Sequence, residues 1–417
     1  MVKMLIIADD ITGALDTGIQ FTKRGVRTQV FTEGKVFGCD VKADTEVIVV
    51  DSESRPMSAD DSYKVVYSIT DWAHKNGVEV IFKKTDSALR GNIGSELQAV
   101  ADAVKNFPIY FLPGHPEIGR TTKEGVHYIS GELLEESVFG KDPFEPVTKS
   151  YIPDIIKEQS DISVICQSVE EVVESEMNSK SQVIVCDTET VDDIDTILDQ
   201  LVGRNGLKLI AGCAMLGERL AKKVFGHSKE GLTYEKTAGL YVACGSLNKI
   251  TLRQLEYAEC NGNFIRRRLT MEQKFSPGYY SSLAGKMFLE EITDLCRTNK
   301  KIIVDSFDTE EHIAGFMADK TRDIDEMRTR IPQAHGSIVK ALAEKQMDLT
   351  VLMTGGDTLM GYMKLVGCTQ IEPLCEIEPG LVVSRLIWNG HCQQIISKSG
   401  GFGTEDILCR IALKIIK

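Results

Sequence analysis

The sequence lacks most of the short motifs by which enzymes are commonly recognised. Its 417 residues include 11 cysteines, but no two are spaced as Cys-x-x-Cys, and the seven histidines form no His-Glu-x-x-His motif. No familiar zinc or dithiol signature is therefore present. The chain also has neither the Gly-x-x-x-x-Gly-Lys-Ser/Thr phosphate loop nor the Gly-x-Gly-x-x-Gly dinucleotide fingerprint. Any nucleotide must be held by less familiar loops.

Positive charge and long apolar runs are also scarce. Lysine and arginine number 48 against 61 acidic residues, a net charge of -13, whereas nucleic-acid binding requires clustered cations. No apolar run approaches the ~20 residues that span a bilayer, and the apolar start ends at Asp9, too early for a signal peptide. We therefore expect a cytoplasmic protein without nucleic-acid or membrane partners, whose cysteines are small buried hydrophobes.

Apolar runs alternate with helical patterns along the whole chain, whose length suits two to four domains. The first half has apolar runs at 4–8, 28–31, 46–50, 78–82, 109–112, 162–166, 183–186 and 207–211, with helical patterns notably at 59–75 and 95–105. After a polar, glycine-containing break at 225–231, the second half has runs at 239–244, 301–304, 350–353, 375–377, 381–386 and 394–397, then a helical pattern at 404–416.

This alternation is typical of βαβ units and a mainly parallel sheet. We predict an α/β protein with two domains, residues 1–228 and 229–417, each with a mainly parallel sheet flanked by helices. The last three runs are short and closely spaced, which favours antiparallel hairpins.

Two adjacent carboxylates follow the first predicted strand. Asp9 and Asp10 come directly after the run at 4–8 and precede Gly13, which permits close approach of the backbone to a ligand. One carboxylate could reach a ligand while the other caps the next helix, or both could be only cap and turn residues, because aspartate is a preferred N-cap. Such an acidic turn suits hydroxyls, amines or a metal ion.

Cations and hydrogen-bonding groups are concentrated in the segment 82–92. Its candidate ligands are Lys84, Asp86, Ser87 and Arg90. Lysine and arginine favour carboxylate or phosphate, whereas aspartate and serine can hold sugar hydroxyls. The alternative is a solvated turn in which Asp86 or Ser87 caps a helix.

A rigid loop at 113–122 contains two prolines and two glycines after another predicted strand. Such loops are good places for ligand-binding groups. Arg120 is a candidate anion clamp there, and His115 could be either a catalyst or a residue that only hydrogen-bonds within the loop.

Glycine turns follow three predicted strands of the second half. The segment TGGDT at 354–358 lets main-chain N–H groups and a positive helix end approach a phosphate. Asp357 could coordinate Mg²⁺ or take a proton from an attacking hydroxyl, or it could simply cap a tight turn. The turn at Ser246 could bind a nucleotide or cap a helix, and SGGFG at 399–403 is a further candidate loop for phosphate or adenine. Acidic and glycine-rich turns together suggest phosphoryl transfer to a polar small molecule.

The motifs resemble, in chain order, those of the four-carbon acid sugar kinase family. They are ADDITGALDTG (8–18), KKTDSALRGNIG (83–94), PGHPEIGRTT (113–122), Asp142-Pro143, the Gly-Ser turn, TGGDT and SGGFG. The resemblance covers nearly the whole chain. It implies that ATP, with Mg²⁺, phosphorylates the terminal hydroxyl of an acid such as threonate, erythronate or 3-oxo-tetronate. It further implies that the N-terminal domain holds the acid, the C-terminal domain holds the nucleotide, and the reaction occurs in the cleft between them.

Residue by residue, the resemblance implies two sets of ligands. The acid would be bound by Asp9, Lys84, Asp86, Ser87, Arg90 and Arg120, and Asp10 is a further candidate beside Asp9. The nucleotide would be bound by Ser246, Gly355, Gly356, Asp357, Thr358 and Gly401. The glycine turns themselves add Thr354, Gly400 and Gly403 as candidates, and Asp357 is the candidate catalytic residue from its chemistry. Metal ligands are left unassigned.

Two departures from the family pattern bear on the choice of substrate. Ala88 stands where many members have threonine, and His115 stands where many have an aromatic or aliphatic residue. One alternative function is a non-catalytic sensor of sugar acid and nucleotide on the same fold. Another is an oxidoreductase, although no dinucleotide fingerprint supports it. A homodimer is compatible with the sequence.

Overall fold

The computed structural model describes residues 2–32, 41–141, 146–174, 180–204, 206–226, 232–246, 248–307 and 324–417, and at 324–328 the backbone only. It divides into two compact units, Met1–Gly231 and Leu232–Lys417. Each contains a mainly parallel sheet with helices, so the predicted fold class is confirmed. The predicted boundary at 228/229 and the segment Asp142-Pro143 lie outside the described residues.

The first unit contains a sheet of eight parallel strands. They are β1 (Met4–Ala8), β2 (Thr28–Phe31), β3 (Val47–Asp51), β4 (Val80–Lys84), β5 (Ile109–Leu112), β9 (Val164–Gln167), β10 (Val183–Cys186) and β11 (Leu209–Gly212). Their order is β2-β3-β1-β4-β11-β5-β10-β9. A small antiparallel sheet consists of β6 (Arg120–Lys123), β7 (Val126–Ile129) and β8 (Glu132–Leu133).

Helices connect these strands and cover the sheet. They are α1 (Ile11–Thr22), α2 (Ala59–Lys75), α3 (Ile93–Ala103), α4 (Ile152–Lys157), α5 (Val169–Glu174), α6 (Val191–Gly203) and α7 (Ala214–Phe225). One core joins Leu5 and Ile7 of β1 with Ile69 of α2 and Leu97 of α3. All residues of β1, β3 and β4 are buried, which explains why such strands form continuous apolar runs.

The second unit contains seven strands. They are β12 (Gly239–Cys244), β13 (Ile265–Arg268), β14 (Lys301–Asp305), β15 (Leu349–Thr354), β16 (Gln370–Glu378), β17 (Leu381–Trp388) and β18 (His391–Lys398). In the order β13-β14-β12-β15-β18-β17-β16, the first five are parallel, and β18-β17-β16 form the predicted antiparallel hairpins. Strand β13 was not predicted, because three of its four residues are arginines.

The helices of the second unit are α8 (Lys249–Asn261), α9 (Met271–Phe275), α10 (Leu283–Thr298), α11 (Ile324–Glu344), α12 (Gly356–Val366) and α13 (Ile407–Ile415). Across the described ranges of both units, no helix combines the length and apolar character needed to cross a membrane. Five of the ten cysteines there are buried, whereas Cys260 and Cys392 are exposed, so the expectation of buried cysteines holds for only part of the set.

Candidate functional site

The carboxyl ends of three neighbouring strands meet at one edge of the first sheet. In the register of the ladder, Ala8 of β1 is paired with both Asp51 of β3 and Lys84 of β4. The segments that follow these strands therefore begin side by side, as is usual for ligand sites in open α/β sheets. This edge brings together most of the predicted acid-binding residues.

Arg55, which the sequence analysis missed, lies at the centre of this cluster. Its Nε is 2.7 Å from Asp9 Oδ2, and its Nη1 is 2.8 Å from Asp10 Oδ2. Its Nη2 is 3.7 Å from Asp86 Oδ1. One guanidinium thus joins carboxylates that follow two different strands. Arg55 follows the end of β3 by four residues, so the rule that selected the other candidates could have found it.

Asp9 and Asp10 have different roles. Asp10 caps α1, because its carboxylate accepts a hydrogen bond of 2.8 Å from the Gly13 N–H. Asp9 is buried, and its Oδ1 lies 3.7 Å from the Lys84 ammonium. A Cβ built on Gly13 would lie 2.1 Å from Lys84 Nζ, so only glycine leaves room for this lysine. Asp10 is therefore the cap of the two, and Asp9 stays the candidate for contact with a ligand.

Asp86 and Arg90 form a two-pronged ion pair. Arg90 Nε and Nη2 donate to Asp86 Oδ2 and Oδ1, each at 2.9 Å. Asp86 Oδ2 also accepts from the Ala88 N–H at 3.1 Å. Helix α3 begins only at Ile93, so neither Asp86 nor Ser87 caps it. The structure therefore excludes the helix-cap alternative for both residues.

A buried layer fixes the loop that carries Arg55. The Asn92 amide donates to Ser54 O and Met57 O, both at 2.9 Å. Behind it, Lys83 Nζ and Glu96 Oε2 form an ion pair of 3.0 Å with both side chains excluded from solvent. Ser54 Oγ also donates to Glu96. These contacts join β4 and α3 to the Arg55 loop and hold the guanidinium in place.

The ion pairs set the ionisation of the cluster. Burial alone would raise the pKa of Asp9, but the charges of Arg55 and Lys84 outweigh it and lower the pKa to about 2. Asp86 is also buried, and Arg55 and Arg90 hold its pKa well below the usual range. The pKa of Lys84 is raised, because the attraction of Asp9 and Asp10 exceeds the cost of burial. All three groups are charged at neutral pH.

Asp51 is the exception among the carboxyl groups at this edge. It is buried and its pKa is raised well above the usual value, first by burial and further by nearby Asp10. Counted formally, three carboxylates then face four cations: Asp9, Asp10 and Asp86 against Arg55, Lys84, Arg90 and Arg120. Glu53 adds a further carboxylate beside Asp51, so these seven are the ion-paired groups and the candidate cations, not a charge balance of the whole edge.

The 113–122 loop adds Arg120 and His115, and strand β7 adds His127. Arg120 Nη1 donates to Ser87 Oγ, which brings these two predicted ligands together. His115 pairs with Arg120 through the backbone, at 2.7 and 3.1 Å, and burial lowers the pKa of its ring. His127 Nε2 lies 3.1 Å from Ser87 O, and burial lowers the pKa of this ring to about 4.

The predicted nucleotide turns meet at the carboxyl edge of the second sheet. Thr354 of β15 is paired with both Cys244 of β12 and Lys398 of β18, so the three turns begin together. Ser246 Oγ lies 3.4 Å from Thr251 Oγ1, and Thr251 Oγ1 donates to Gly400 O at 2.6 Å. The structure therefore connects the Gly-Ser turn with SGGFG.

Glycine is required at several points of this edge. Gly355 has φ +94°, a conformation that side chains disfavour, and directly precedes α12. A Cβ built on Gly400 would lie 2.6 Å from Ser246 Oγ. The N-cap residue of α12 is Gly355, which has no side chain to cap the first turn, so N–H groups there can face a phosphate. Asp357 is exposed in that turn, and the N-cap position of the helix is occupied by Gly355.

The comparisons with known proteins agree with this division. Residues 4–220 match the family model of a sugar-binding N-terminal domain, and residues 241–408 match that of a nucleotide-binding C-terminal domain. The sequence is 26% identical to D-threonate kinase from Salmonella typhimurium, over 98% of this chain and 97% of that protein. The chain belongs to the four-carbon acid sugar kinase family.

Other proteins similar to this chain are named for different acids. The chain is 23% identical to D-erythronate kinase from Heliobacterium modesticaldum, over 98% of this chain and 96% of that protein. It is 24% identical to 3-oxo-tetronate kinase from Pectobacterium atrosepticum, over 98% of both chains. A solved structure from Haemophilus influenzae superposes with a TM-score of 0.75 at 19% identity, covering 99% of this chain and 100% of that one. That structure supports the fold.

Proposed function

We propose that this chain is an ATP-dependent kinase that phosphorylates the terminal hydroxyl of a four-carbon sugar acid. The observation that carries the proposal is the cluster of three carboxylates and four cations in the unit that matches a sugar-binding domain. Such a cluster can hold hydroxyls and a carboxylate at once. The glycine turns in the unit that matches a nucleotide-binding domain support the use of ATP.

The acid is bound and oriented in the first unit. Asp9 and Asp86 are ionised, so they accept hydrogen bonds from substrate hydroxyls, and the Ser87 hydroxyl adds a further partner. The cations compensate the substrate's carboxylate. Because Arg55 and Asn92 fix these groups before the acid binds, little ordering is needed on binding.

The nucleotide is bound at the turns of the second unit. The main-chain N–H of Gly356 faces the phosphates, because that of Gly355 is already donated to Lys398 O. Ser246, Gly355, Gly400, Gly401 and Gly403 complete the cradle, with Thr354 and Thr358 beside them. Phosphoryl transfer demands mainly positioning and compensation of charge. Asp357 accepts the proton of the attacking hydroxyl or contacts the metal ion. An active site between the two domains stays a prediction.

Magnesium compensates charge on the phosphates when it is bound with the nucleotide. Among the described residues, no group of three His, Cys, Asp or Glu side chains could hold a metal ion. This fits an ion held largely by substrate phosphates and water, as is common for Mg²⁺. Apart from Asp357, we assign no protein ligand to it.

A coupled assay of ADP release tests the proposed reaction. D-threonate, D-erythronate and 3-oxo-tetronate are each supplied with ATP and Mg²⁺, and we expect turnover with at least one of them. Binding of acid and nucleotide without ADP release would contradict the kinase and favour the non-catalytic sensor. Calorimetry with each ligand separates that result from a protein that binds neither.

Asp357→Ala tests the assignment of the two units. Loss of a proton acceptor or metal contact should lower kcat by about 100-fold or more, while the affinity for the acid is retained. Ser276→Ala, at an exposed turn of the same unit, is the control and should keep normal kcat. If Asp357→Ala loses acid binding with nucleotide affinity intact, the roles of the units are reversed.

A further inference from the structure

Three of the four cations at the acid-binding edge are already engaged by carboxylates of the chain. Arg55 contacts Asp9 and Asp10 at 2.7 and 2.8 Å. Arg90 donates two N–H groups to Asp86. Lys84 Nζ lies 3.7 Å from Asp9 Oδ1 and 4.0 Å from Asp10 Oδ1. Each would have to give up a protein partner to grip a substrate carboxylate.

Arg120 differs from these three. It forms no ion pair with any carboxylate in the part of the chain that the structure describes, and its side chain donates only to a neutral hydroxyl, that of Ser87. Half-buried Arg120 has its pKa lowered, because burial outweighs the attraction of Asp86. A guanidinium of this kind retains paired donors for a carboxylate, which it can bind through two parallel hydrogen bonds.

The Arg120 guanidinium lies over the ring of Phe139. Its ring centroid lies 4.8 Å from Arg120 Cζ and 5.4 Å from Arg90 Cζ, both within the range of cation–π attraction. The backbone of Phe139 is itself fixed, because its N–H donates to Ser137 Oγ and its carbonyl accepts from the Val147 N–H, both at 3.1 Å. One aromatic ring thus contacts both the uncommitted arginine and its committed neighbour.

The backbone of Ser87 is also held by a neighbouring side chain. Its carbonyl faces His127 Nε2 at 3.1 Å, and the other ring nitrogen of His127 lies 3.0 Å from Thr122 Oγ1. Thr122 and Arg120 belong to the same strand, β6. The Ser87 backbone is therefore tied by His127 to the same small sheet that carries Arg120.

We propose that Arg120, beside Ser87 and oriented by Phe139, binds the carboxylate of the substrate and so makes the enzyme select acids over their uncharged analogues. The acid's hydroxyls then extend toward Asp86 and Asp9. Phe139 is a positioning residue, since it acts through the arginines. This inference rests on the proposed function for the identity of the acid, although it concerns acid binding and not phosphoryl transfer.

Calorimetry with the acid and with its neutral amide tests the role of Arg120. We expect Arg120→Gln to weaken binding of the acid by about 10- to 100-fold, the loss typical of a hydrogen bond between charged groups, with the amide unaffected. Arg120→Lys keeps the charge without the fork and should recover only part of the affinity. Arg27→Gln, an exposed arginine in the same unit, is the matched control.

Phe139→Leu should weaken binding of the acid by about 2- to 5-fold without changing the affinity for the amide. Phe139→Tyr should restore the affinity for the acid. Phe107→Leu, an exposed aromatic in the same unit, is the control. Equal losses for acid and amide, or unchanged acid affinity in Arg120→Gln, would overturn the proposal, as would a wild-type protein that binds no four-carbon acid. Acid binding that depends on Arg120 without any ADP release would leave this inference intact and refute only the kinase.

Discussion

At the scale of single residues, Arg55 determines the electrostatics of the acid-binding edge. It is the largest favourable influence on the pKa of both Asp9 and Asp86, opposing the burial that would otherwise neutralise them. Its own side chain is 14% exposed, so solvent screens these interactions weakly. Removing it would leave the buried Asp9 with Lys84 and, more weakly, Lys83 as neighbouring cations.

Arg55→Met is therefore expected to destabilise the first unit by about 3–5 kcal/mol, as happens when one partner of a buried ion pair is removed. The low pKa of Asp9 contributes stability above pH ~4 that is lost as the pH falls toward 2. In Arg55→Met this pH dependence should largely disappear. Urea unfolding at pH 7 and pH 3 measures both effects.

Arg27→Met is the matched control, because the pair Arg27–Asp44 is exposed and should contribute less than about 1 kcal/mol. Equal stability of Arg55→Met and the control would contradict the ionised cluster.

Arg55 also shows where reasoning from the sequence stops: its place after a strand could be read from the pattern, but its partners could not. Alternating patterns indicated which residues follow strands, and this was enough to select Asp9, Lys84 and Asp86. Which side chains then meet depends on the order β3-β1-β4, which comes from packing across the sheet and leaves no mark on local spacing. The same limit applies to Phe139, whose role is visible only from its distance to two arginines.

At the scale of elements, β4 meets α1 through Lys84 and Gly13, and it meets α3 through Lys83 and Glu96. Sequence patterning ended this strand at residue 82, but it continues through Lys83 and Lys84. The two lysines alternate between the faces of the sheet. Lys83 is neutralised by Glu96, and Lys84 crosses Gly13 of α1 to reach the acidic turn. The sequence pattern thus placed the end of the strand before these two buried lysines, because the carboxylates that pair with them are distant in sequence.

Gly13→Ala tests this fit. The added methyl would lie 2.1 Å from Lys84 Nζ and 2.6 Å from the capping oxygen of Asp10, so the lysine must move. We expect a loss of about 1–3 kcal/mol from overpacking and weaker acid binding, measured by thermal unfolding and calorimetry. In Gly203→Ala, where a Cβ meets nothing within 4 Å, stability should be unchanged or slightly higher. Normal acid affinity in Gly13→Ala would show that Lys84 need not occupy this place.

At the scale of the whole molecule, both units use the same plan with different chemistry. Each has a parallel sheet whose carboxyl edge carries the predicted ligands, ionic in the first unit and glycine-rich in the second. The alternation of strands and helices was enough to predict this plan. It could not predict that β18 joins β15 in parallel while also closing the hairpins, because a hairpin pattern describes only sequential neighbours.

Each unit also contains a buried histidine that is neutral when folded. Burial lowers the pKa of His127 in the first unit and of His335 in the second to about 4. His335 Nε2 lies 2.8 Å from Ser306 Oγ, at the end of β14. In the unfolded chain a histidine takes up its proton near pH 6.5. Between these values the unfolded state binds more protons, so the free energy of unfolding decreases as the pH falls from about 6.5 to about 4.

We therefore expect both units to lose stability over this range, before the pKa of Asp9, at about 2, becomes relevant. Urea midpoints at pH 7, 5.5 and 4.5 should fall steadily in the wild-type protein. His127→Gln and His335→Gln should each flatten part of this dependence, because glutamine can still donate and accept but does not titrate. His74→Gln, whose ring is exposed in α2, should retain the wild-type slope. An unchanged slope in both buried-site variants would mean that other groups control the acid response.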